Sequence, residues 1–271
     1  MPLDETRARA ITPKLIEWLT ELRTIVGEIT ERAIHRADDD FAFMALCFVA
    51  KQLDHGESVT RLVPTKDTGL VARTMLEGMV QLKWASEDSV RPSRWRAFAI
   101  VEDWEMIPIW ERDGVISDAL RRKIAAAIEE HKDLIYTRKA LRADQEEAEL
   151  PDRPFFPDWR AGVGVSEILK SPENSQFKSV FYRPLSAWVH WSPGGLRGLL
   201  ESTAEGVRYE SESYADAASA LFLAIYSTWE CTHLLATRLV LEDAIAKLEG
   251  FSQRFEQWHE ETETSSAPDA E

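Results

Sequence analysis

The chain has 271 residues, a formal net charge of −15, 44% hydrophobic residues, ten tryptophans and twelve glycines. That length suits a fold with a substantial buried core, and so few glycines favour helices over a turn-rich β fold. The acidity lies in both body and tail, since residues 241–271 hold nine acids and two bases; it argues against non-specific binding to nucleic acid or an anionic membrane, so neither DNA nor a membrane is an expected partner.

In "TPKLIEWLTELRTIVGEITERAIHR" (12–36), Thr12 suits an N-cap and Pro13 a first helical position. Leu15, Trp18, Leu19, Leu22, Ile25, Ile29 and Ala33 then recur at helical spacing. Residues 38–56 open with three aspartates and are apolar nearly all round from Phe41 to Ala50, which predicts a central helix. A loop is expected at 55–66, then helices at 67–88 and 91–114, the latter kinked or ended by Pro108. Residues 117–150 predict one long, charged, amphipathic helix.

The stretch 151–165 holds three prolines and several aromatics, and reads as a loop whose rings need a surface to pack on. A short helix at 166–170 and a long one at 174–192, bent at Pro184, come next. At most one short β-hairpin is expected, near 195–212. A last helix spans about 213–249, and residues 251–271 read as a charged helix end running into a disordered acidic tail. The segment 217–241 is the most apolar, but Glu230, His233 and Arg238 interrupt it, as befits a core helix. Cys47 and Cys231 both sit in apolar surroundings and read as reduced, buried small hydrophobes, and the N-terminus lacks an apolar signal region. The expected architecture is all-α: a single bundle of about six or seven helices over 1–250, in the cytoplasm.

Polar residues on apolar faces mark the candidate site. Arg73 and Glu77 are four apart among Val71, Met75, Leu76 and Val80. They read either as a surface ion pair or as a pair that faces inward and orients something buried. Glu230 and His233 stand three apart in an apolar run, where unpartnered charge is costly. Glu-x-x-His is also the spacing of carboxylate-bridged di-metal bundles, and Glu256 with His259 repeats it. The second copy lies too close in sequence for an antiparallel match, so no metal and no cofactor are expected. In "FYRPLSAWVHWSPGG" (181–195), Tyr182, Ser186 and His190 recur about once per turn, and Arg183 precedes His190 by two turns. Imidazole and guanidinium on one helix suit metal-independent RNA cleavage, the imidazole moving the 2′-hydroxyl proton and the guanidinium holding the phosphate. Equally, His190 can be a core histidine and Arg183 a surface residue.

"YRPLSAWVHWSPGGL" resembles the Tyr-x-x-Leu-Ser-x-x-Val-His-x-Ser-Pro signature of a bacterial all-α family of unknown function, whose upstream Arg-x-x-x-Glu helix is matched by "RTMLE". The resemblance covers about residues 40–240. It implies a helical bundle and marks Arg73, Glu77, Tyr182, Ser186 and His190. A wider resemblance is to HEPN-like helical domains, whose nucleases carry Arg, four to six residues, then His. It implies a ribonuclease of toxin or defence type, with Arg183 and His190 as its catalytic pair and a homodimer as the working form. Those nucleases usually follow the arginine with a polar residue, where this chain has Pro184. Two classes therefore stand: a non-catalytic helical protein with a buried polar cluster of Arg73, Glu77, Tyr182, Ser186, Glu230 and His233, or a ribonuclease with RNA as partner.

Overall fold

In a computed structural model of the chain, the described residues are 4–172, 174–183, 185–186, 200–204 and 206–264. They are predominantly helical, as the periodicity predicts. The contacts divide the chain into two compact units, Met1–Lys83 with Leu169–Glu271, and Trp84–Ile168. No helix among the described residues is long and apolar enough to cross a membrane.

The first unit is built on α1 (Glu5–Ala33), α2 (Asp40–Leu62), α3 (Thr68–Ser86), a late pair α9 (Tyr214–Arg238) and α10 (Glu242–Thr264), and the short elements between them. Asp4, not Thr12, caps α1, its carboxylate accepting from the Arg7 amide at 2.9 Å. Thr12 is buried inside the helix and donates its hydroxyl to the Ala8 carbonyl at 2.7 Å. The α1 stripe is buried from Leu15 to Ala33, with Val26 taking the place expected for Ile25. Glu5 reaches across to the start of α9 and accepts from the amides of Tyr214 at 2.7 Å and Ala215 at 3.1 Å. A carboxylate on those N-terminal amides ties α1 to the start of α9.

Helix α2 runs through the expected loop as far as Leu62. Gly56 is where α2 crosses α1: a β-carbon there would lie 3.3 Å from Arg23 Cδ. The expected last helix is two. Its break falls at Val240, held at φ 52°, while the Leu241 amide donates back to the Ala236 carbonyl and the Val240 amide to that of Thr237. This closing pattern usually takes glycine, so valine made it invisible in the sequence. Helix α10 packs on α1 through rings: Trp18 stands edge-on to Phe251 at 5.4 Å and to Phe255 at 5.7 Å. The charged helix end expected from residue 251 is amphipathic and continues to Thr264. A two-stranded antiparallel hairpin, β1 (Leu200–Thr203) with β2 (Gly206–Tyr209), falls inside the expected window.

The second unit contains α4 (Val90–Arg112), α5 (Asp118–Ile135), α6 (Arg138–Gln145) and α7 (Val165–Ile168). Helix α4 continues through Pro108 to Arg112. The long helix expected at 117–150 breaks at Tyr136–Thr137, both in extended geometry. Thr137 caps α6, accepting from the Ala140 amide at 3.2 Å. The backbone groups freed by the break meet the following loop, Thr137 donating to the Pro154 carbonyl at 2.8 Å and Phe156 to that of Ile135 at 2.9 Å. The same loop supplies Phe155, Phe156 and Trp159 to a core of Ala97, Phe98, Val101, Ile128, Ile135 and Tyr136. The aromatics of 151–165 therefore find the surface they need.

Candidate functional site

Arg73 and Glu77 lie one turn apart on α3. Arg73 Nε donates to Glu77 Oε1 at 2.9 Å, and its Nη2 lies 2.9 Å from the same oxygen. Their side chains are 12% and 27% exposed, which makes this a rim pair, shielded but not dry. The Arg73 guanidinium also sits 5.0 Å from the centroid of the Tyr182 ring. One cation is thus held by a carboxylate on its own helix and a π-face from 109 residues later in the chain. Two of the expected partners, α3 and the 174–192 stretch, do meet here.

That stretch is not a plain α-helix. It begins as α8 (Ser175–Phe177), passes into a π-helical turn at Lys178–Tyr182, and the Arg183 amide donates to the Lys178 carbonyl. A π-turn offsets the side chains that follow from ordinary α spacing, and such turns are frequent at functional sites. Further along, a β-carbon on Gly69 would lie 2.7 Å from Leu185 Cδ2, so the absence of a side chain lets the segment settle on α3. At its near end Phe177 meets the Tyr226 ring of α9 at 5.2 Å and the Phe181 ring at 6.4 Å. The segment therefore runs antiparallel to α3, with Tyr182 at Arg73 and Leu185 at Gly69. Arg183 is exposed and Ser186 half-buried, while His190 lies outside the described residues.

A second ion pair stands at the other end of α3. Lys83 Nζ lies 3.2 Å from Glu230 Oε1. Glu230 follows Tyr226 by one turn of α9, and burial, with the Glu230 carboxylate nearby, pushes the Tyr226 phenol above its usual range. His233 belongs elsewhere. Its ring stacks on Trp229 at 5.0 Å, and the Trp229 indole donates to the Leu248 carbonyl of α10. Glu230 and His233 thus serve different neighbours, as do Glu256 and His259, whose ring meets Phe222. Among the described residues no group of His, Cys, Asp and Glu is arranged to hold a metal ion.

Sequence reasoning missed Lys83, Tyr226 and two α2 residues. Gln52 is buried where α2, α3 and α9 meet: its Nε2 donates to the Met75 carbonyl at 2.9 Å and approaches Cys231 Sγ at 3.6 Å. Its place in the stripe Phe48, Val49, Gln52, Val59 was the available signal. His55, one turn on, has a buried Nε2 with no hydrogen-bond partner, and burial followed by the Lys51 charge lowers its pKa from 6.5. Cys231 is fully buried, and burial pushes its thiol up, so it stays protonated. Cys47, expected inside, is exposed, because it falls on the outer side of α2 between the buried Ala45 and Val49.

No family model, no curated protein and no solved structure was found to match the chain.

Proposed function

We propose that this is a non-catalytic helical binding protein whose Arg73–Glu77–Tyr182 cluster fastens the segment 175–186 to α3 and presents its outer side to a partner. The observation that carries this reading is the engagement of Arg73: its Nε and Nη2 both meet Glu77 and it stands against the Tyr182 ring, which commits the guanidinium to holding this segment. The fastened segment turns Ser179, Val180 and Arg183 outward. Val180 is 60% exposed beside a cation, a mixed apolar and charged surface of the kind partners read. Glu77 and Glu230 each neutralise a cation, so the cluster presents no strong net charge of its own.

One observation favours the second reading. Arg183 is exposed while Arg73 is engaged, so Arg183 is the guanidinium of this segment able to reach a phosphate. In that reading Arg183 anchors RNA, His190 moves the 2′-hydroxyl proton, and a homodimer completes the site. The test is incubation of the purified protein with single-stranded RNA beside Arg183→Ala and His190→Ala. The binding reading expects no cleavage by any of the three. Cleavage by the wild type, lost in both variants at unchanged thermal midpoint, would replace it with the ribonuclease.

A further inference from the structure

We infer that the far end of the α4–α5 hairpin is the contact surface for a second copy of this chain. Between residues 102 and 123 only Ile107 is buried, yet Trp104, Met106, Ile109, Val115 and Leu120 all stand exposed there. On α4, at 100° per residue, Met106 and Ile109 share a face while Trp104 points about 150° away from them, so this half-helix is apolar on two sides. Such a helix is ordinarily covered, and a run of exposed large apolar residues marks a contact surface. Toward the base of the hairpin the same helices are covered, where Ala97, Phe98, Val101 and Ile128 meet α6 and the 155–159 rings. The hairpin extends beyond its own core.

Charge selects the occupant. Arg121 Nη1 lies 3.1 Å from Glu111 Oε1, which places the start of α5 beside the end of α4. The far half of α4 carries exposed Glu102, Asp103 and Glu105; the start of α5 carries exposed Arg122 and Lys123. With Arg112 and Asp118 counted, one tip still holds a mainly acidic helix end and a mainly basic one, each with exposed apolar residues. Two copies related by a two-fold axis lay each acidic α4 against the other's basic α5, as an isologous contact requires. A foreign basic helix would answer α4 alone and leave α5 facing like charge.

Sedimentation equilibrium of the full-length protein tests this without reference to the Arg73 cluster. The wild type is expected to be a dimer. Trp104→Glu should raise the dissociation constant by at least about tenfold, the scale of an interface anchor, with unchanged circular dichroism. Arg122→Glu with Lys123→Glu, at positions already in water, should weaken the dimer as well. Adding Glu102→Lys and Glu105→Lys to that same chain should restore it. A wild type that stays monomeric, a dimer indifferent to these changes, or a charge reversal that the added lysines fail to restore would each overturn the proposal.

Discussion

Two late segments of the first unit are fastened to its early helices with different centres: buried rings for one, a shielded ion pair for the other. Helix α10 lies on α1 through Phe251, Phe255 and Trp258, each about 6 Å from the Trp18 ring, with exposed ion pairs Arg32–Asp243, Lys247–Glu28 and Arg254–Glu21 along the rim of the same seam. The segment 175–186 lies on α3 through a guanidinium between a carboxylate and a phenol ring, with apolar contacts at Phe177 and Leu185. Apolar burial has no chemical switch, whereas a rim ion pair responds to charge, salt and competing partners. In the proposed reading, the aromatic contact is the permanent join and the polar one a fastening that a partner can replace.

The join should dominate stability. Trp18→Ala deletes the ring on which Phe251 and Phe255 stand and is expected to cost about 3–5 kcal/mol in urea unfolding. A cost below about 1 kcal/mol would end the comparison. Arg73→Ala leaves Glu77 and Tyr182 partly in reach of water, so its cost should be smaller, about 1–2 kcal/mol. A double-mutant cycle with Tyr182→Leu should return a coupling of about 0.5–1 kcal/mol; zero coupling would mean that the ring does not hold the cation.

Much of this was legible because it is local. The α1 stripe, the central helix beginning near Asp40 and the loop aromatics at 155–159 follow from spacing and from the need of rings for cover. The breaks were not legible. Tyr136–Thr137 sits in strongly helical composition, and what stops the helix is a backbone pairing with Pro154 and Phe156 nearly twenty residues on. Val240 closes α9 in a conformation its side chain disfavours. Charge concealed that the helix end beyond residue 250 carries a packing stripe, Phe251, Phe255 and Trp258. At the site, spacing paired Arg73 with Glu77, but their meeting with Tyr182, and that of Lys83 with Glu230, are long-range contacts with no local pattern. Of the row Tyr182, Ser186 and His190, the first ends a π-turn that the spacing did not announce, and the last lies outside the described residues.

A smaller effect lies on α2, outside both fastenings. Burial favours neutral His55, so its folded pKa lies below 6.5 and the unfolded chain takes up the proton first. The stability this provides is complete above pH 6.5 and is lost as pH falls from there through the folded value. Wild-type stability, measured by urea unfolding at a series of pH values, should therefore decline over that window. His55→Gln should flatten the decline; an unchanged slope would assign it to other groups.

The most direct test is amide hydrogen exchange of the segment 178–183, followed by mass spectrometry in the wild type and in Arg73→Ala. If the cluster fastens this segment to α3, exchange there should quicken several-fold in the variant while the amides of α1 and α10 keep their wild-type rates. Equal protection of 178–183 in both proteins would contradict the account.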